Sequence, residues 1–334
     1  MSTIQTIADI LGVSKSTVSR AINQTGYVGE NTRNRVLEVA QSLGYKPNLL
    51  AKHLSTQQSK CVGLVIANTM FDGHYFNEIV SLCAKKLQAR GLNLLLADGK
   101  DSPAAESEAI DFLIGLQCDA IILYPHFLPT SSIISLIKNS NIPIVVLNRW
   151  LPMNQKHSIC CNHEEDSRRV VQELVKFGHK EIAFITGELT SPTAESRLIG
   201  YKKGMTECNV DNRILVEAGD WTIASGYRAM KSLVQKNRRL EAVVASNDDM
   251  AIGAIRYITE IGMIIPKDIS VVGFDDLPVS SFLNPALSSV KPPTELMVET
   301  AINQLDKLMT NQEVQRIPLF DSEINARDSI GKRN

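Results

Sequence analysis

Eight short, continuously apolar runs alternate with amphipathic segments between residues 61 and 276. The runs are CVGLVIAN (61–68), NLLLADG (93–99), AIILYP (120–125), PIVVLN (143–148), EIAFITG (181–187), ILVEAGD (214–220), AVVASND (242–248) and ISVVGFDD (269–276). A strand that is apolar on both faces needs helices on both sides, so this alternation predicts parallel sheets of the α/β class. The segment HSICCN (157–162) separates the first four runs from the last four, and we expect two Rossmann-like lobes.

Short polar side chains stand at the ends of many of these runs. They are Asn68, Asp98, Asn148, Asn247 with Asp248, and Asp275 with Asp276. Ligands of open parallel sheets bind at the carboxyl ends of the strands, so we expect a ligand site at this edge. Carboxylates and amides suit hydroxyl groups better than phosphates. No Walker loop and no G-x-G-x-x-G follows any run, and no cofactor is expected.

The first 46 residues predict three helices. Apolar residues recur at helical spacing at Ile4, Ile7, Ala8 and Leu11, then at Val18, Ala21 and Ile22, and then at Val36, Val39, Ala40 and Leu43. Gly12 suits the end of the first helix, and Ser14 is a good N-cap for the second. The third helix is expected to begin near Thr32 and to stop at Gly44.

The second of these helices has a polar face made of short side chains and two cations. That face comprises Lys15, Ser16, Ser19, Arg20 and Asn23. Residues 1–60 have a net charge of +4, although the whole chain has a net charge of −1. Two helices joined by a short turn, with a third behind them, predict a helix-turn-helix that enters the major groove of DNA. The alternative is a generic three-helix subdomain with a solvated polar face.

The run TIADILGVSKSTVSRAIN, with GYV, TRNRVLEVAQSLGYKPNLLAKHL after it, resembles the DNA-binding region of the LacI/GalR family of bacterial transcription repressors. The resemblance implies that Lys15 and Ser16 choose the base sequence and that Arg20 lies at the groove. It places a further set mainly at the DNA backbone, namely Ser14, Thr17, Ser19, Asn23 and Thr32. The expected partner is a double-stranded palindromic operator.

A linker follows the helix-turn-helix domain, which we assign to residues 1–46. Residues 47–60 contain Leu50 and Leu54 on one face of a helix that is too short to be stable in isolation. One alternative is that these leucines have a structural role and pack against the domain that follows the linker. In the family this is the hinge helix, and the resemblance implies that Leu50, Ala51 and Leu54 act at the operator. There Leu50 would contact the partner hinge, and Leu54 would wedge into the minor groove.

The resemblance also implies a two-lobed periplasmic-binding-protein-like core that clamps a small ligand. It assigns the ligand to Arg197, Trp221, Asn247, Asp248 and Asp275 from one lobe, and to Asp72, Tyr75, Phe76 and Asn148 from the other. In this arrangement Arg197 would bridge two sugar hydroxyls, and Trp221 would stack on a pyranose face.

Each of these site residues has a structural alternative. Tyr75 and Phe76 could be core residues at the start of a helix. Asn247 and Asp248 could cap the helix that follows them, and Arg197 could form an ordinary ion pair. The sequence leaves these alternatives open.

The end of the chain is expected to cross between the lobes. A helix from Thr294 to about Met309, with Leu296, Ala301, Leu305 and Leu308 inward, precedes IPLF and INARDS. The family pattern assigns residues 61–161 and 292–319 to the first lobe, and residues 162–291 and 320–334 to the second. No leucine heptads follow, so the expectation is a homodimer matching a two-fold operator.

The sequence gives less support to two other functional classes, an enzyme and a free solute-binding protein. For an enzyme, the histidines and cysteines of HSICCNH (157–163) resemble a metal cluster, but on a strand Cys160 would face away from His157, Cys161 and His163. Asp275 and Asp276 are adjacent and form a poor acid–base pair, so neither a metal site nor an enzyme is expected. A free solute-binding protein is disfavoured by the DNA-binding module and by the lack of a recognisable signal peptide.

The sequence therefore predicts a cytoplasmic, dimeric repressor of a sugar-utilisation operon, without a membrane span. The resemblance points to a β-glucoside or a related sugar as effector, with a galactose-responsive repressor as the alternative. Whether the sugar is phosphorylated, and whether it releases or strengthens operator binding, is left open.

Overall fold

The computed structural model describes residues 3–45, 59–67, 73–210 and 214–333. The chain divides into two compact units, Met1–Ser59 and Lys60–Asn334, and the second unit is called the core below. Four residues predicted to bind DNA or ligand lie outside the described residues, namely Leu50, Ala51, Leu54 and Asp72. Their roles stay predictions.

The first unit contains three helices, α1 (Ile4–Leu11), α2 (Lys15–Asn23) and α3 (Glu30–Ser42). Their common interior holds Ile7, Ala8, Val18, Ala21, Val36 and Ala40. Gly12 ends α1 with a φ of 63°, and the hydroxyl of Ser14 accepts the backbone N–H of Thr17 at the start of α2, both as predicted. Two details were wrong: α3 begins at Glu30 and not near Thr32, and Leu43 is exposed because it follows the last turn.

The first sheet of the core has five parallel strands in the order β2-β1-β3-β4-β5. They are β1 (Cys61–Ile66), β2 (Asn93–Asp98), β3 (Ala120–Tyr124), β4 (Ile144–Leu147) and β5 (Ser158–Ile159). The helices of this part are α4 (His74–Ala89), α5 (Pro103–Gly115) and α6 (Thr130–Asn139). The prediction of strands covered on both faces fails for β2, which lies at the edge and leaves Leu96 about half exposed.

The second sheet has six strands in the order β11-β10-β9-β8-β6-β7, and only β11 is antiparallel to its neighbour. The strands are β6 (Ile182–Thr186), β7 (Leu215–Ala218), β8 (Ala242–Ala245), β9 (Ser270–Phe274), β10 (Ser288–Lys291) and β11 (Glu323–Asn325). The helices are α7 (His163–Lys176), α8 (Pro192–Glu207), α9 (Ile223–Lys236) and α10 (Asp248–Glu260). Each sheet with the helices packed on it is called a lobe below.

The last helix, α11 (Thr294–Met309), crosses back to the first lobe. Ala301, Ile302 and Leu305 lie in the same buried cluster as Val145 and Leu147 of β4. The chain then returns to the second lobe as β11, so each lobe combines segments that are distant in sequence. The prediction that Leu296 faces inward was wrong: the buried stripe runs through Met297 and Val298, and Leu296 is exposed. No helix in the described residues is both long and apolar enough to cross a membrane.

Candidate functional site

A cavity of about 410 Å³ lies between the two lobes of the core. The first lobe lines it with Gly73, His74, Tyr75, Phe76, Tyr124, Pro125, His126, Asn148 and Arg149. The second lobe lines it with His163, Glu188, Ser191, Pro192, Thr193, Arg197, Asp220, Trp221, Thr222, Ile223, Ala224, Asn247, Asp249 and Asp275. The cavity therefore lies at the strand ends that carry Asn148, Asn247 and Asp275, whereas Asp98 and Asp276 do not line it and Asn68 lies outside the described residues. Its size is that of a small-molecule site.

Arg197 and Asp275 form a charged pair at the cavity. The guanidinium of Arg197, on α8, donates to the carbonyl of Ser246 and to the carboxylate of Asp275, the latter at 3.4 Å. It also lies 4.3 Å from the ring centroid of Phe274. Burial raises the pKa of Asp275 to about 6, and Arg197 opposes that rise. Since these contacts fix the guanidinium, its remaining N–H groups have set directions and can bridge two ligand oxygens.

Asn148 links three side chains at the cavity. Its backbone is left-handed, with a φ of 57°, directly after β4. Its Nδ2 donates to the hydroxyl of Tyr124 at 2.5 Å and to the hydroxyl of Thr193, in the other lobe, at 3.1 Å. Its Oδ1 lies 2.6 Å from Nε2 of His163. Burial lowers the pKa of His163 well below its usual value, so the imidazole is neutral near pH 7 and its Nε2–H donates to Asn148.

Trp221 provides a flat indole wall. It has a φ of 70°, and its carbonyl accepts Nδ2 of Asn247 at 2.9 Å. The ring covers Gly187 so closely that a Cβ there would lie 2.2 Å from the indole. Asn247 Oδ1 also accepts the backbone N–H of Met250, so the capping alternative for Asn247 is observed together with its position at the cavity.

Three aromatic rings continue the apolar wall in the first lobe. The ring of Phe76 meets that of Tyr124 edge-on at 4.9 Å and that of Tyr75 at 5.5 Å. Tyr75 and Phe76 pack on the buried cluster of the first lobe and line the cavity as well. Burial raises the pKa of Tyr75 well above its usual value, which keeps its phenol neutral.

The polar face predicted for α2 is partly exposed. Ser14, Lys15, Ser16 and Arg20 are exposed, whereas Thr17, Ser19, Asn23 and Thr32 are half-buried. The Ser14 hydroxyl lies 2.7 Å from that of Ser16 and 2.9 Å from that of Thr17, and Asn23 donates to Ser19 at 3.3 Å. The short side chains thus bond to one another, while Lys15 and Arg20 remain free to extend towards a partner.

Comparison with known proteins matches both units. The model of "Bacterial regulatory proteins, lacI family" matches residues 3–48, and that of "Periplasmic binding protein-like domain" matches residues 171–330. The HTH-type transcriptional regulator AscG of Escherichia coli K12 is 41% identical over 331 residues, covering 99% of this chain and 98% of AscG. The chain belongs to the lacI family.

Solved structures of LacI-family proteins agree with this assignment. The crystal structure of the Escherichia coli repressor AscG has a TM-score of 0.74 at 40% identity, covering 81% of this chain and 99% of that one. A lac repressor dimer bound to operator and the anti-inducer ONPF has a TM-score of 0.88 at 29% identity, covering 98% of both chains. A complex of the regulator CelR with cellobiose has a TM-score of 0.71 at 28% identity, covering 98% of this chain and 100% of that one.

One predicted site residue of this LacI-family chain lies away from the cavity. The carboxylate of Asp248 is fully buried and accepts hydrogen bonds from Ser280 Oγ at 2.6 Å, Ser289 Oγ at 2.6 Å and Leu277 N at 2.8 Å. We therefore correct its role: it holds the segments after β9 and at β10, and it does not line the cavity. Its neighbour Asp249 lines the cavity instead.

The HSICCNH segment also differs from its predicted form. The strand covers only Ser158 and Ile159, so strand alternation does not describe the segment. His157 bonds to the carbonyl of Ile144 at 2.7 Å, and Cys161 contacts Met297. His163 begins α7 and faces the cavity. The described residues contain no group of three side chains placed to hold a metal ion.

Sequence reasoning missed several cavity residues of this LacI-family protein. They include His74, Tyr124, His126, His163, Glu188, Thr193 and Asp249. Tyr124 and His126 stand at and after the end of a predicted strand, so the strand-end rule could have found them. His163 was considered only as a metal ligand. The sequence feature that could have identified it as a cavity residue is its position at the start of a helix that follows a short strand.

Proposed function

We propose that this protein is a sequence-specific transcriptional repressor of a sugar-utilisation operon, controlled by a small sugar bound between the lobes of its core. The observation that supports a sugar ligand is the composition of the cavity. It combines two hydrogen-bonding side chains, Arg197 and Asp275, with the indole of Trp221. Polar groups suit the hydroxyls at the edge of a pyranose, and a flat apolar surface suits its face.

The DNA-binding role is assigned to the exposed face of α2 and to the linker. Lys15 and Ser16 would contact base edges, and Arg20 would bind in the major groove. The half-buried polar residues would position α2 on the phosphates. A homodimer would present two such helices to a palindromic operator. The operator-bound lac repressor dimer supports this arrangement. We retain residues 47–60 as the hinge and the lobe boundaries predicted from the sequence, and we place the protein in the cytoplasm, where its operator would be.

For the effector we favour a β-glucoside, with galactose or a galactoside as the alternative. The similarity to the CelR–cellobiose complex over nearly the whole chain supports a sugar of this kind. Sugar contacts from both lobes would close the cavity and change the geometry at the hinge. A coupling free energy of about 1–3 kcal/mol would change operator affinity about 5–150-fold. We assign no catalytic role to the cavity.

Two steps test the proposal with the full-length protein. First, selection from a library of duplexes with randomised two-fold half-sites should enrich a palindrome, and affinity for it should fall steeply with salt. Second, operator binding should be titrated against a panel of glucosides and galactosides. A protein that enriches no duplex but binds a sugar would be a free solute-binding protein, and the repressor proposal would be wrong.

A further inference from the structure

We infer that the effector is an uncharged glycoside with one apolar face, and that phosphorylated and carboxylated sugars are excluded by the charges of the cavity. This inference rests on the proposed sugar-binding function and specifies its ligand class. Three sets of observations carry it: the cations that are already paired, the excess of carboxylates, and the polarity of the neutral hydrogen-bonding chain.

The lysine and arginine side chains that line the cavity, within the described part of the chain, are Arg149 and Arg197. Arg149 is buried and donates to the carbonyls of Leu128 at 3.1 Å and Pro125 at 3.3 Å. Arg197 is paired with Asp275. An anion is bound best by a cation whose charge is not already balanced. Arg197 is balanced by Asp275. No carboxylate among these contacts balances Arg149, but both of its terminal nitrogens are hydrogen bonded to backbone carbonyls.

Carboxylates outnumber the arginines at the cavity. Glu188, Asp220, Asp249 and Asp275 all line it. Asp220 is partly offset by Arg228 at 3.1 Å, and Asp249 is hydrogen bonded to His74 at 3.1 Å. His126 faces Glu188 at 3.9 Å, but burial lowers the pKa of His126, so it is not a dependable cation near pH 7. A phosphate or carboxylate entering the cavity would therefore meet repulsion in a partly desolvated space.

Several helices begin at the cavity, and a helix N-terminus favours anions. Here these ends are largely compensated. The helix α4 has neither a side-chain cap nor an acidic residue in its first turn, but the carboxylate of Asp249 lies 3.1 Å from His74 at its start. Thr222 caps α9 and Asn247 caps α10, and the first turn of α10 carries Asp248 and Asp249. The helix α8 begins with Pro192, which has no N–H to offer, and carries an acidic residue in its first turn. The electrostatic field that remains at these helix ends therefore favours the binding of hydroxyl oxygens over that of fully charged anions.

The hydrogen bonds around Asn148 join uncharged side chains, and each of these side chains has a defined role as donor or acceptor. Because His163 donates through Nε2 to Asn148, its Nδ1 is left as an acceptor. Because Asn148 donates to the hydroxyls of Tyr124 and Thr193, those two hydroxyls keep their own protons for a further acceptor. One acceptor beside two donors matches vicinal sugar hydroxyls, each of which donates and accepts. A phosphate, which mainly accepts, would leave the acceptor on His163 without a partner.

The apolar wall completes the ligand class. Trp221 and Ile223 from the second lobe, with Tyr75 and Phe76 from the first, line the same cavity as the polar chain. An unsubstituted polyol would leave much of this wall in contact with water. A glycoside that carries an apolar aglycone, or that presents the C–H face of a second ring, would cover it.

Matched ligand pairs test the inference on the full-length protein by isothermal titration calorimetry. The pairs are phenyl β-D-glucoside and its 6-phosphate, cellobiose and its 6′-phosphate, and D-glucose and D-glucuronate, with inorganic phosphate as a further probe. In each pair that binds, we expect the uncharged member to bind at least about 10-fold more tightly, which corresponds to about 1.4 kcal/mol. Tighter binding of any charged member, or competition by inorganic phosphate at the same site, would overturn the inference while leaving sugar binding intact.

A charge variant makes the electrostatic cause specific. Glu188→Gln removes a cavity carboxylate, so it should narrow the affinity ratio between phenyl β-D-glucoside and its 6-phosphate several-fold. Glu108→Gln, on the exposed side of α5 and outside the cavity lining, removes the same charge and should leave the ratio unchanged. An unchanged ratio in Glu188→Gln would contradict the electrostatic cause. If no member of any pair binds, the sugar-binding part of the proposed function is wrong, and this inference fails with it.

Discussion

His74 in the first lobe lies 3.1 Å from the carboxylate of Asp249 in the second, measured from Nδ1 to Oδ1. The imidazole begins α4, and the carboxylate is in the first turn of α10. With the hydrogen bond from Asn148 to Thr193, this contact joins the two lobes beside the cavity. The structure therefore shows the lobes held together by side chains that also line the cavity. Binding and lobe closure must then share the same residues.

Removal of the His74–Asp249 contact should weaken ligand binding. In His74→Ala and in Asp249→Asn, the closed arrangement loses one interlobe hydrogen bond, so we expect a 3–30-fold loss of affinity for a bound glucoside, or roughly 1–2 kcal/mol. The double variant should lose little more than either single variant, because both changes remove the same contact. Titration followed by Trp221 fluorescence in a Trp150→Phe background measures all three. Additive losses would show that the contact does not act as a pair.

The Arg197–Asp275 pair and Trp221 should control the response to ligand without affecting the affinity of the protein for its operator. Trp221→Ala and Asp275→Ala should abolish the response to the sugar, since each removes a cavity group, while operator affinity stays near that of the wild type. Electrophoretic mobility shift with and without ligand separates the two effects. The assignment of Trp221 would be wrong if its alanine variant stayed folded, by circular dichroism, and failed to bind operator.

Arg20 should show the opposite separation. Its side chain is exposed on α2, and Arg20→Ala should weaken operator binding by about 1–3 kcal/mol, or about 5–150-fold, and leave sugar affinity unchanged. Arg256→Ala removes the same charge from the core, where Arg256 pairs with Glu260 of its own helix, and serves as the control. An equal loss in both variants would indicate a general effect of charge and not a groove contact.

Asp248 should make the stability of the core depend on pH. Its pKa is raised from 3.8 to about 7, chiefly by burial, so the folded state favours the protonated form. The stability that this proton contributes is complete below about pH 4 and is lost as the pH rises through 7. Asn lacks this titration. The free energy of unfolding of Asp248→Asn relative to wild type should therefore rise between pH 4 and 7, by an amount on the order of a few kcal/mol.

Urea unfolding at several pH values, followed by tryptophan fluorescence, checks this prediction. Burial lowers the pKa of His157, His163 and His179, and they act in the opposite sense, but they are common to both proteins and cancel in the difference. Asp111→Asn, on the exposed side of α5, controls for the loss of a carboxylate. A constant difference between wild type and Asp248→Asn from pH 4 to 8 would contradict the prediction.

The apolar runs predicted the strands within one to three residues, because continuous burial on both faces leaves a strong signal. The edge position of β2 was not predictable from its composition, since NLLLAD reads as apolar whether or not a neighbour covers it. The inward face of α11 was misplaced by one residue at Leu296, and a shift of one residue turns a helical side chain by about 100°.

The same angular sensitivity explains the error at Asp248. Both it and Asp249 lie in the first turn of α10, and sequence spacing does not say which one faces the ligand. His163 and Thr193 were missed because they reach the cavity from helices whose start depends on how the lobes face each other. That relation is a tertiary property. Arg197, Trp221 and Asp275 were found because family motifs and strand ends mark them directly.

The most direct test of the central claim measures operator affinity of the full-length protein, with and without a saturating uncharged glucoside, in the wild type and in Trp221→Ala. We expect operator affinity to change about 5–150-fold in the wild type and not to change in Trp221→Ala. Operator affinity that stays constant in the wild type while the glucoside is bound, or a full response in Trp221→Ala, would contradict it.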